Sequence, residues 1–563
     1  MKRFVSPILA PWCTLFALTH TFAQVPSAGS FQQNIDNQVR QSPLPLKPGP
    51  QPLTEPNTTP TNGPEFKLKR INFSGNTLLT NAQIELLIAP YLNRSIDFGQ
   101  LQILANSLED IYRKLGRMSR VVIPEQTILN STLSLQIEEA HWGEVKVRGD
   151  TIGVNPERIG RTVGEGQTPN ELLNLTLLER GVLLADDLPG VKVSALFSQS
   201  TTPLTTDVIA DVSNNPPYSW SVQADNSGPT SIGANRFIAN LALSTPLGIG
   251  DLLNGTYLGS NGTQYGRLSY SLPVAYDGLR VGVNVSSMNY KLVSAEFMAL
   301  GATGSSYSQG LEALYPVIRS KSTNLYFGLN TDYRKFNNSN SSNGLLSQYS
   351  VMDYSASLFI NTFDTLGGQG ANNLAVVLTN GTTDLSGSPN QAAVLSSSNS
   401  QGEFTKTRYT ANRTQSLDQS LSAYASITGQ ASGANLDPSE MFYLGGINAV
   451  RAYPTNEGAG SQGGIATLEL RKTLSYSANA ALFYDYGRVQ VNPNNAYAVA
   501  GYLNSYDQKG AGLSMGIKAN SRVDLKAVWA KRIGADSNLT RNGTYQNGST
   551  GSTQLWLLAS VGF

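Results

Sequence analysis

The sequence predicts a mainly β protein: a 16-stranded transmembrane β-barrel over residues 215–563, preceded by two small α+β domains at 65–139 and 140–214. Three observations predict it. From about residue 216 onward helical spacing disappears, and segments of about 10 residues alternate apolar and polar, the length a tilted strand needs to cross a bilayer. Upstream of them the order β-α-α-β-β occurs twice in succession. The first 23 residues read as a secretory leader, which opens the route to an outer membrane.

In the leader, Lys2 and Arg3 precede a short apolar run, and Thr21 and Ala23 suit cleavage before Gln24. Cys13 and His20 leave with it, so the mature chain carries no cysteine and a single histidine, His141. Disulfides, thiolate metal sites and a cysteine nucleophile are excluded, and no cofactor is expected. Lys plus Arg total 40 and Asp plus Glu total 39, a balance without the basic footprint of a nucleic-acid binder. No later apolar run reaches the length of a membrane helix, so a membrane crossing requires a barrel.

Residues 24–42 place Phe31, Ile35 and Val39 on one face of a short helix. The stretch 43–64 holds eight prolines and reads as an extended tether. In the first module, the helix in "NAQIELLIAPYL" is expected to be capped by Asn81. The next has Leu101, Leu104, Leu108, Ile111 and Leu115 at helical spacing, with Gly116 closing it. Glu138 and Glu139 at the end of this module read as a solvated pair. His141 reads as an ordinary residue between the modules.

The barrel segments carry a parity. If both modules lie in the periplasm, turns after even strands are short, as in "STPLGIGD", "PVAYDG", "RSKST" and "KANSR". The long connections are expected after strands 5, 7, 9, 11 and 15. In "RFIANLALSTP", Phe237, Ala239, Leu241 and Leu243 share one face; in the terminal "TQLWLLASVGF", Leu555, Leu557, Ala559, Val561 and Phe563 do.

The longest interruption, 431–462, falls between strands 11 and 12. It contains "FYLGGINAVRAYP", whose Phe442, Tyr443, Leu444, Val450 and Tyr453 can pack. A 16-stranded barrel leaves an aqueous lumen into which such a loop can fold. Arg451 would then want a carboxylate. In "LFYDYGRV", Phe483, Asp485 and Gly487 share one strand face, so Asp485 is the candidate, with Gly487 leaving room for close approach.

With these residues in view the chain resembles a known family. The paired modules look like POTRA domains. "IYRKLGRMSRVVIPEQ", with Tyr112, Gly116, Pro124 and Gln126, is similar to the first POTRA domain of two-partner secretion transporters (TpsB proteins, ShlB/FhaC/HecB-like). "LGGINAVRAYP", ending at Pro454, and "FYDYG" resemble the sixth-loop motif and its partner-strand motif in that family and in the wider superfamily of outer-membrane assembly proteins. The resemblance implies that Arg451 pairs with Asp485 amid Val450, Tyr453, Phe483 and Gly487, and that the helix near 31–41 plugs the pore. It implies POTRA domains that bind the secretion domain of one TpsA-type exoprotein, and a barrel in outer-membrane lipid that passes the client unfolded, without ATP. A monomer is expected. Many superfamily members have Gly after the arginine; this chain has Ala452, so a slightly different backbone is expected there.

Rival readings are weaker. "GLSMG" at 512–516 matches a nucleophile-elbow pattern, but its flanks alternate as a strand, so no enzyme is expected. An assembly factor that inserts other outer-membrane proteins shares the loop motif but usually has three or more POTRA domains. A passive porin needs neither the modules nor the tether.

Overall fold

The computed structural model describes residues 27–39, 65–128, 130–150, 153–341, 343–496, 503–534, 544–545 and 548–563. The leader and the Pro-rich tether lie outside the described residues.

In the first module, strand Thr132–Glu139 is central, parallel to Arg70–Ser74 and antiparallel to Ser119–Val122. Helices Asn81–Ile88 and Phe98–Lys114 cover one face. Leu101, Leu104, Leu108 and Tyr112 of the second helix join Leu133, Leu135 and Ile137 in a closed core. Two short strands, Phe66–Leu68 and Arg94–Ile96, add a small extra sheet that the sequence did not announce. The first helix is capped by Thr80 rather than Asn81: Thr80 and Gln83 exchange side-chain and backbone hydrogen bonds in a capping box, and Asn81 is already helical. The second module repeats the topology, with strand Thr205–Asn214 central between His141–Gly149 and Val191–Gln199.

Sixteen antiparallel strands then close into a barrel, strand 1 being Tyr218–Asp225 and strand 16 Thr553–Gly562. The closing seam pairs Ser221–Asp225 with Leu558–Gly562. Where strand 1 ends, the Asn226 side chain continues the pairing, donating to Leu555 O at 2.9 Å and accepting from Leu557 N at 2.8 Å. Phe237 and Leu241 on strand 2, Leu525 and Trp529 on strand 15, and Leu555, Leu557 and Val561 on strand 16 stand exposed on the outer wall. This apolar belt suits hydrocarbon and would be a liability in water.

The long connections differ from the expected ones at two places, both after odd-numbered strands. Strands 7 (Thr323–Asn340) and 8 (Gly344–Asp364) pair along nearly their whole length, so their connection is only 341–343 and the expected long loop is instead a long hairpin. Strand 13 (Ala478–Gln490) is followed by a long connection, 491–504, that was not anticipated.

The second module sits against the periplasmic turns. Asp187 accepts two hydrogen bonds from Arg319 at the end of strand 6, at 2.7 and 2.8 Å. Arg180 donates to Asp277 O at 3.0 Å, and Tyr276 lies under Arg158 and Arg161. These contacts to the turns therefore come from the two helices of the module, Pro156–Val163 and Leu175–Asp186 with its cap Asp187.

Candidate functional site in the barrel lumen

Among the described residues, two segments occupy the lumen. The loop after strand 11 (Leu421–Ser432) folds inward and forms its own two-residue hairpin, Phe442–Tyr443 with Ala459–Gly460. Val450 N–H donates to Leu444 O at 2.8 Å, and Glu457 N–H donates to Pro454 O at 3.1 Å, so the loop is internally braced. Leu444, Val450, Ala452 and Tyr453 are buried against Ile465, Phe483 and Val489 of the wall and Trp556 of strand 16.

At the tip, Arg451 meets Asp485 of strand 13. Nε and Nη2 donate to the two carboxylate oxygens at 2.9 and 2.8 Å, and the Arg451 backbone N–H adds a third bond at 3.1 Å. Phe483, two residues earlier on the same face, lies under the guanidinium, 3.4 Å from ring centroid to Cζ. Gly487, two residues later, is where Val450 enters: a Cβ there would lie 2.8 Å from Val450 Cγ2 and 2.9 Å from Leu444 Cδ2. The three residues grouped by alternation thus do three different jobs for one loop. Asp485 is fully buried, and Thr467 Oγ1 also donates to it at 3.0 Å. A bidentate pair stripped of water is strong in place and expensive to half-break.

The structure adds partners that the sequence reading did not name. Arg451 Nη1 donates to Glu469 on strand 12 at 2.6 Å, so the arginine faces two carboxylates. Trp556 Nε1 donates to Arg451 O at 2.8 Å, and Arg532 Nε of strand 15 donates to Ala452 O at 2.9 Å. Glu469 was findable: "TLEL" alternates, and the strand 12–13 register sets Thr467 opposite Asp485 and Glu469 opposite Phe483. Trp556 and Arg532 come from strands distant in sequence and carry no local signal.

Ala452 does not adopt a positive φ. Its methyl group instead faces Gly510 on strand 14, where an added Cβ would come within 2.4 Å of it.

The second occupant is the helix Ala28–Val39. Phe31 and Ile35 are buried as their spacing predicted, Phe31 edge-on to Tyr290 at 4.9 Å between centroids. Gln32, Gln33 and Asp36 are buried too, because the lumen surrounds the helix. Gln32 accepts from Ser306 Oγ at 2.6 Å, Tyr265 OH donates to Asp36 at 3.0 Å, and Arg236 donates to Gln38 at 2.8 Å. An amphipathic reading misses this polar side.

In the first module, Gly116 takes φ +71° just past the helix end, where Gly116 N–H donates to Arg113 O and Arg117 N–H to Tyr112 O, a Schellman turn. Gln126 reaches from beside Pro124 to bond both the carbonyl and the N–H of Ser134, at 2.7 and 2.8 Å, in the manner of an added strand. Tyr112 OH donates to Glu139 at 2.7 Å. Glu139 is therefore not solvated, as expected above, but buried beneath Tyr112 and Thr77. Burial alone would raise its pKa, yet hydrogen bonds from the Thr77 hydroxyl and backbone and from Tyr112 outweigh it and hold the carboxyl below its ordinary value. Ser514 of "GLSMG" lies inside strand 14 (Ser505–Lys518). Among the described residues, no group of His, Cys, Asp and Glu is placed to hold a metal ion.

A profile of the family described as haemolysin secretion/activation protein ShlB/FhaC/HecB matches residues 205–519, more than half of the chain. A profile of the ShlB-type POTRA domain matches residues 66–140. The heme/hemopexin transporter protein HuxB of Haemophilus influenzae is 24% identical over 530 residues, covering 89% of this chain and 91% of HuxB. The outer membrane transporter CdiB of Dickeya dadantii is 26% identical over 421 residues, 72% of each chain. Among solved structures, CdiB from Escherichia coli is similar with a TM-score of 0.68 at 20% identity, over 96% of this chain and 99% of that one, a likeness of fold.

Proposed function

The chain belongs to the ShlB/FhaC/HecB family of haemolysin secretion/activation proteins, and from that premise we propose how its lumen works. It is an outer-membrane transporter of two-partner secretion, with the barrel in the membrane and the POTRA domains in the periplasm. Its partner is a TpsA-type exoprotein. On our reading the POTRA domains take up an extended client segment by strand addition, and the client then crosses the lumen unfolded. Folding outside gives the movement its direction, and no ATP is used.

The observation that carries this reading is that, among the described residues, the lumen is occupied by two segments that are not part of its wall. The helix Ala28–Val39 and the loop around Arg451 are held there by side-chain contacts and loop packing. Transport requires that the helix leave and the loop shift. Val450, Arg451, Tyr453 and Pro454 form the moving part, and Phe483, Asp485 and Gly487 are its receptor. Tyr112, Gly116, Pro124 and Gln126 keep the shape of the first POTRA domain. The pairing of strand 1 with strand 16 within one chain supports a monomer in lipid.

The test is a deletion in the native host, with extracellular and outer-membrane proteins compared by mass spectrometry. One large extracellular protein disappears while the outer-membrane profile stays normal. If several outer-membrane proteins fall together instead, the chain is an assembly factor.

A further inference from the structure

The lumen loop is tied to the wall at a second place, with the signs reversed. At its tip the loop supplies the cation, Arg451, and the wall the carboxylates. Nearer strand 11 the loop supplies the carboxylate. Glu440 is 1% exposed and accepts from Arg334 Nη1 of strand 7 at 2.7 Å and from Lys406 Nζ of strand 10 (Gly402–Ser416). Arg334 also pairs with Asp353 of strand 8. The Glu440 backbone carbonyl accepts from Gln430 of strand 11 at 2.9 Å. Three wall strands besides the loop's own thus converge on one carboxylate or its immediate partners.

The residues beside Glu440 carry the helix. Gln33 donates to Met441 O at 2.7 Å. Gly29 lies so close to Ser439 that a Cβ on it would come within 2.7 Å of Ser439 Cβ. Arg408, one inward position from Lys406 on strand 10, donates to Met441 O and to Asn37 of the helix, both at 3.2 Å. The helix N-terminus is fixed by Asn338, four residues beyond Arg334 on strand 7, which accepts from Ala28 N–H at 2.9 Å. By contrast, the contact on the Arg451 side of the loop is a bond from Asn34 to Asn456 at 2.9 Å, five positions past the arginine.

We propose that Glu440 is a positioning residue for the helix: its clamp on Arg334 and Lys406 fixes residues 439–441 as the seat that keeps the helix in the lumen, independently of the Arg451–Asp485 pair. This inference rests on the transporter reading and deepens it, since it assigns plugging and loop docking to two separate ionic contacts. Removing the Glu440 charge leaves Lys406 buried without its carboxylate, which the segment relieves by moving away from the wall. The seat then loses its place under Gly29 and Gln33.

The test uses the full-length protein in lipid bilayers, with no client present. Steady ion conductance is recorded, and spin labels on Ser27→Cys and Asn343→Cys report the helix position. Glu440→Gln raises the conducting fraction about tenfold and adds a second distance population, whereas Asp485→Asn leaves the helix distance as in the parent protein. If Glu440→Gln fails to form a heat-modifiable barrel, Lys406→Gln is measured in its place and moves both readouts in the same direction. Unchanged conductance and distance in the Glu440→Gln protein, or helix release only when Asp485→Asn is also present, overturns the proposal. Neither readout depends on secretion, so a failure here is distinguishable from a failure of the transporter reading.

Discussion

The guanidinium of Arg451 and the carboxylate of Asp485 are joined by two side-chain hydrogen bonds of 2.9 and 2.8 Å, and the same carboxylate takes the Arg451 backbone N–H at 3.1 Å. One buried acid therefore fixes both the side chain and the main chain of the loop tip. Lysine offers a single point charge and cannot reproduce the fork or lie flat on Phe483. Arg451→Lys is expected to fold and insert but to lose about 2 kcal/mol of docking with one arm of the fork. Secretion then falls by about tenfold or more. Asp485→Asn leaves the arginine facing Glu469 only and is expected to lower barrel stability by about 3–5 kcal/mol. Secretion assays and urea unfolding of the purified barrel separate the two effects.

Ala452 and Gly510 form a size-matched pair across the loop and strand 14. Gly510→Ala would bring two methyl groups to 2.4 Å, and overpacking of this kind costs about 1–3 kcal/mol. Ala452→Gly alone is expected to be mild. The double substitution Ala452→Gly with Gly510→Ala should recover most of the lost secretion and thermal stability, because the methyl group has only changed sides. Equal defects in the single Gly510→Ala and the double protein would mean that the two positions do not share this contact.

Glu139 gives the first POTRA domain an acid limb. Its folded pKa lies below the unfolded value, so the folded domain binds fewer protons than the unfolded one in that range. The stability it contributes is present above the unfolded pKa of about 4.3 and is lost as pH falls through the folded value. Hydrogen exchange of the full-length protein should show the amides of strand Thr132–Glu139 losing protection below about pH 4.3. In Glu139→Gln this acid dependence flattens. Tyr112→Phe, which removes one of the bonds holding the carboxylate down, moves the transition to higher pH.

Much of this architecture was legible because its physics is local. Alternation with even parity announced the barrel, a helix-strand order occurring twice announced the modules, and Phe483, Asp485 and Gly487 shared a face by simple counting. What escaped depends on register between distant strands. Trp556 and Arg532 approach the loop only because strand 16 returns to strand 1. The long hairpin of strands 7 and 8 was read as a loop because its upper residues, such as Asn337, Asn338 and Ser347, are polar on a strand that leaves the hydrocarbon. Glu139 looked solvated because a strand end usually is; here Tyr112 and Thr77 close over it. The polar side of the lumen helix is a similar case, since Gln32, Gln33 and Asp36 are buried in a hydrogen-bonding wall rather than exposed to water.

The central claim is that the helix must leave the lumen for a client to pass, and a reversible lock tests it most directly. The sequence has one cysteine, Cys13, so in a Cys13→Ser background Ala28→Cys with Asn338→Cys introduces the only pair, between the helix start and strand 7, where the Asn338 side chain accepts from Ala28 N–H at 2.9 Å. With the disulfide formed, secretion of the partner exoprotein should stop, and a reductant should restore it on the same cells. Undiminished secretion through a fully oxidised, locked protein would contradict the account.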